Sequence, residues 1–173
     1  VNAPQGITYG TLVIGLLCFA AELADWYPGL KPLRKAPLKY LAGLAPFAAM
    51  WAVGALMAMC AGGIVGWLTD WFVWGAGWLG DGALIYGVGG ERQAVAQGLS
   101  QPLTNGGLAM TLIILTIAVI RMKRAGDNLG WSHKRGIVSG ATLGLSAGVA
   151  AVVAVPLASA VNMAGAWIPG GTL

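Results

Sequence analysis

The chain has 173 residues, of which 57% are hydrophobic and only 9% are Asp, Glu, Lys or Arg. Ordinary soluble domains carry about 25% charged residues, and so few charges cannot cover a water-facing surface. A soluble globular domain is therefore excluded, and the length suits one all-α polytopic membrane protein with a net charge of +4.

Uncharged stretches occupy 1–21, 40–69, 93–120 and 136–173. Each holds the roughly 20 residues that cross a bilayer as a helix. Backbone groups in lipid must satisfy one another, so helices are expected, and the continuous apolar runs at 112–115 and 147–155 lack the alternation of a membrane barrel. Spans are predicted near 7–27, 41–66, 104–122 and 137–160. They form two hairpins: 1–68 with a basic loop at 28–39, and 106–173 with a basic loop at 121–135. Between them, 69–105 is a Trp/Gly-rich connection.

Val1 reads either as a terminus left by signal-peptide removal or as a GTG start written as Val. Glu22 and Asp25 lie three apart on one face near the end of the first span. A carboxylate there is a candidate for ion or proton transfer, but Lys31, Arg34 and Lys35 follow closely, mid-span positions are almost wholly apolar, and a salt-bridged interfacial pair is the expected reading. Lys31, Arg34, Lys35 and Lys39 then crowd the first loop. The second span carries Gly54, Ala58, Gly62 and Gly66 at steps of four, which on one continuous helix form a packing ridge. The ridge's partner, a helix of this chain or of a neighbouring copy, stays open.

Trp67, Trp71, Trp74 and Trp78 follow at helical spacing and predict an interfacial aromatic stripe; an aromatic ligand platform is the sharper alternative. Seven glycines between 75 and 90 weaken a helix there, and 91–101 is expected to be an exposed loop or short surface helix. After the third span, Arg121, Lys123, Arg124, Lys134 and Arg135 crowd the next loop. The fourth span opens on a second ridge, Gly136, Gly140, Gly144 and Gly148.

Nine of the ten Lys and Arg residues sit in these two loops. By the positive-inside rule both loops are cytoplasmic, with the termini and the middle connection outside. The localisation expected is the cytoplasmic membrane. The two halves share a pattern and are read as a hypothetical duplication.

No catalytic site is expected. His133 is the only histidine and has no neighbouring ligand cluster, so no metal is predicted. Cys18 and Cys60 read as small apolar fillers. No P-loop, nucleophile elbow or dinucleotide fingerprint is present.

Two apolar helices around a short basic loop, with outside termini and a removed leader, resemble the subunits of conjugative (type IV secretion) pili at the level of architecture. Those pilins mostly have one hairpin, and this chain has two. The resemblance implies a structural subunit stored in the membrane and extracted into a helical tube, possessing lumen-facing basic loops and bound phospholipid. Lys31, Arg34, Lys35, Lys39, Arg121, Lys123, Arg124, Lys134 and Arg135 would be the phospholipid- or anion-binding set. The expected partners are membrane lipid and further copies of the chain. Nucleic acid enters only indirectly, through a conduit, and no small-molecule substrate is expected. The alternative is a bilayer-resident pore or holin-like, conjugal-transfer or accessory subunit, and a third reading is a small channel or transporter.

Overall fold

The computed structural model describes residues 7–28, 34–60, 62–95, 103–125, 130–146 and 150–167. Lys31, Gly148 and the chain termini lie outside the described residues. Regular structure among the described residues is helical: α1 Tyr9–Trp26, α2 Pro37–Met59, α3 Gly63–Gly82, α4 Asn105–Ala125, α5 Trp131–Leu143 and α6 Val155–Ala166. The described residues also include an antiparallel bridge between Thr8 and Ala94. Three helices, α1, α2 and the 105–124 part of α4, are long and apolar enough to cross a membrane.

Local chemistry explains the boundaries. Thr8 caps α1, its hydroxyl accepting from the Thr11 amide at 3.3 Å. Pro46 lacks an N–H and crowds the carbonyl four residues back, and the preceding turn, Ala42–Leu44, winds as a tighter 3-10 helix. Gly63, at φ +70°, supplies the left-handed residue at which the chain turns from α2 into α3.

That turn corrects the first glycine ridge. Gly54 and Ala58 belong to α2, whereas Gly66 belongs to α3 and Gly62 caps it in extended conformation, with nothing within 4 Å of a Cβ placed there. The single face spanning 54 to 66 does not exist, because the helix stops at Met59.

The fourth expected span also differs. In place of one helix over 137–160 there are α5, a π-helical stretch Ala150–Ala154, and α6. Pro156, in the first turn of α6, cannot donate to Val152 and disfavours helical geometry at Val155. The π-helical stretch fits this, and it runs directly into α6; the break in the expected span falls earlier, where α5 ends at Leu143.

The first expected hairpin is joined only at its loop end, and the second closes through α6 on α4 and not through α5. The tightest pairing is α2 against α5, and α5 also packs along α1; α3 packs on α1, and α6 on α4. The two arms of the first hairpin meet through the Phe19 and Phe47 rings, 5.8 Å apart, and through Trp26 Nε1 donating to the Tyr40 carbonyl at 2.6 Å. The halves are thus interleaved around α5. Beyond it, Ala55, Leu56 and Met59 of α2 bury against Ala158 and Val161 of α6, with Met110 and Ile114 of α4 alongside.

Candidate functional site

Close backbone approach positions everything else. A Cβ added to Gly140 would overlap the Trp51 carbonyl, one on Gly136 would sit 2.7 Å from the Phe47 oxygen, and one on Gly144 would sit 3.0 Å from the Ala55 Cα. Gly54 answers from the other side, where a Cβ would strike the Ile137 carbonyl. The second ridge therefore meets α2 of the same chain, in parallel register, and Gly54 completes the contact. Ala58 is only partly buried. These glycines are occupied within one chain and present no open face to a second copy.

The register brings both basic segments to one end of the bundle. Arg34, Lys35, Lys39, Arg121, Lys123 and Arg124 are exposed there and enter no ion pair among the described residues. Lys134 lies 5.2 Å from the centroid of the Trp131 ring, a cation–π contact.

Arg135 departs from the anion-binding set. Its guanidinium bonds to Asp25 and lies 3.5 Å from Glu22, so its charge is already matched. The hydrogen bond to Asp25, reinforced by the charges of Asp25 and Glu22, holds this guanidinium further above its usual range. Glu22 is buried, and its other oxygen accepts from the Ser132 hydroxyl at 2.5 Å. The two carboxylates thus clamp α1 to the start of α5. Their partner among the described residues is the distant Arg135, and not Arg34 or Lys35.

A cleft of about 550 Å3 opens between α2 and α4 at the same end. Pro46, Ala49, Met50 and Val53 form one wall and Ile114, Ile117, Ala118 and Met122 the other, with Arg121 and His133 completing the lining. His133 Nδ1 is shielded from solvent and has no hydrogen-bond partner among the described residues.

At the opposite end Gly10 packs on Gly80, and its amide donates to buried Asp81 at 3.2 Å. Arg92 pairs with the second Asp81 oxygen at 3.0 Å. Sequence reasoning placed Asp81 at the edge of the Trp stripe and missed this contact; Gly10 and Gly80 belong to separate helices, with no shared periodicity to join them. Trp67, Trp71, Trp74 and Trp78 do share one outward face of α3, all four exposed, with the Trp71 and Trp74 rings 5.7 Å apart. The inner face of α3 carries Gly66, Thr69, Val73, Ala76 and Gly77.

No family model matches the chain, and no curated protein and no solved structure matches it.

Proposed function

We propose that the chain is a non-enzymatic structural subunit embedded in a membrane, assembling with further copies and holding anionic lipid at its basic end. The observation that carries this reading is the outward apolar surface. Leu16, Leu17, Leu112, Ile113 and Ile117 stand exposed along α1 and α4, and only 17% of the α4 window is buried. Exposed apolar area on that scale calls for lipid or another subunit. Most of the cationic side chains gather at one end, where they meet anionic head groups favourably.

Because Gly54, Gly136, Gly140 and Gly144 are used internally, contacts between copies fall on the outer faces of α1, α3 and α4. The interleaved halves favour a bilayer-resident component over a pilus-like tube, since neither hairpin is a separable unit. Cell fractionation with cross-linking in intact membranes tests the reading. We expect recovery in the membrane pellet and a ladder of cross-linked copies. Recovery in shed filaments would favour the pilus-like form, and a strictly monomeric membrane protein would refute self-assembly.

A further inference from the structure

Helix α4 is held firmly at one end only. Its first turn meets α6 backbone to backbone: a Cβ on Gly165 would overlap the Gly106 carbonyl and sit 2.6 Å from the Gly107 nitrogen. Asn162 Oδ1 accepts from the Thr104 amide at 3.0 Å and from the Thr104 hydroxyl at 3.2 Å, which fixes the start of the helix. Met110 and Ile114 then pack on the core that holds Ala158 and Val161. Gly106, Gly107 and Thr111 are buried, and beyond Thr111 no described side chain of α4 is.

Past that point the cleft opens, with Pro46, Ala49 and Val53 of α2 standing off from Ile117, Ala118 and Met122 of α4. Apolar walls held apart forgo dispersion contacts that closure would recover. Charge opposes closure. Arg121, Lys123 and Arg124 end α4, Lys39 lies at the start of α2, and all four are exposed without an ion pair among the described residues. Lys134 adds a further cation at the start of α5, where only Arg135 is matched by carboxylates. Like charges gathered at one end repel over a Debye length of roughly 8 Å at physiological salt.

We propose that α4 is a hinged arm, pivoting on its glycine contact with α6 and swinging its basic end toward α2 when counter-ions screen the repulsion. The arm rises about 21 Å from Gly107 to Arg121, so about 10° of rotation carries its end through about 4 Å. Closure of this kind keeps the α4–α6 contact, because the motion is smallest where the backbones touch. The arm, the cleft and the charges belong to one chain, so the hinge is independent of the membrane-subunit reading.

Double electron–electron resonance on the full chain in nonionic micelles measures the motion, with Cys18 and Cys60 changed to Ala. Nitroxides at Leu41 and Ile120, exposed and outside the cleft lining, report the free end. Nitroxides at Leu108 and Met163, also exposed, report the pivot. Diluting labelled chain into unlabelled chain keeps each distance within one copy. Raising sodium chloride from about 0.01 M to about 1 M contracts the Debye length from roughly 30 Å to roughly 3 Å. We expect the first distance to shorten by about 4 Å and the second to stay within about 1 Å. The variant Arg121→Gln/Lys123→Gln/Arg124→Gln should be closed at both salt concentrations, which separates charge repulsion from a general effect of salt. Ala118→Phe, which props the walls apart, should hold the long distance throughout while helicity by circular dichroism is kept. An unchanged first distance in the wild-type sequence, equal movement of both pairs, a salt response that survives in the triple variant, or full contraction in Ala118→Phe would overturn the hinge.

Discussion

Replacing glycine by alanine should change stability in opposite directions at two positions of this bundle. Alanine is favoured over glycine inside a helix by about 1 kcal/mol, and that gain is common to both sites. At Gly75 in α3 nothing lies within 4 Å of an added Cβ, so Gly75→Ala should stabilise by about 0.5–1 kcal/mol. At Gly140 the same methyl lands on the Trp51 carbonyl and 3.0 Å from the Trp51 Cα. Those atoms are backbone and cannot rotate aside, so α2 and α5 must separate by about 1 Å to restore ordinary contact. Overpacking of this kind costs about 3 kcal/mol at the upper end of its usual range. After the propensity gain, Gly140→Ala should destabilise by about 2 kcal/mol, roughly a 30-fold shift in the unfolding equilibrium. Denaturation of the full chain in mixed micelles, followed by circular dichroism and Trp fluorescence, measures both. A Gly140→Ala variant at least as stable as wild type would refute the close α2–α5 contact.

Gly144→Leu should prevent folding of the single chain, while Leu145→Ile is tolerated; wild-type melting of the Gly144 variant would count against its placement beside Ala55. The Glu22–Arg135 clamp predicts that Glu22→Gln, which keeps an acceptor for Ser132, lowers the melting temperature less than Glu22→Ala. In a double-mutant cycle Glu22 should couple to Arg135 and not to Lys134; additive effects at Glu22 and Arg135 would contradict the pairing. With Cys18 and Cys60 changed to Ala, a cysteine at Lys39 should be shielded from an impermeant thiol reagent in intact cells and one at Glu91 should react; the reverse pattern inverts the topology. Trp fluorescence should be quenched most by lipids brominated near the head group if the α3 stripe lies at the interface, and strongest quenching from the bilayer centre would rule that out.

Much was legible along the chain because bilayer constraints are local. Backbone pairing, span length and the placement of basic residues depend on composition in a window, so the first three spans and the gathering of the two basic segments followed from counting. The Trp face of α3 followed from periodicity alone. One break was also written locally: the glycine pair Gly62-Gly63 signals the end of α2, although a step of four through Gly62 masked it, and Pro156 marks the π-helical winding that precedes it. Pairing was decided elsewhere. Nothing in the spacing of Glu22 and Asp25 selects Arg135, more than a hundred residues away, over the basic residues that follow at once. Nothing in the Gly136–Gly144 ridge names Trp51 as the backbone it admits, and no single segment contains the α2–α4 cleft. Helix formation is satisfied within a segment, whereas close approach depends on which surfaces fit side by side, and that complementarity exists only once the helices are assembled.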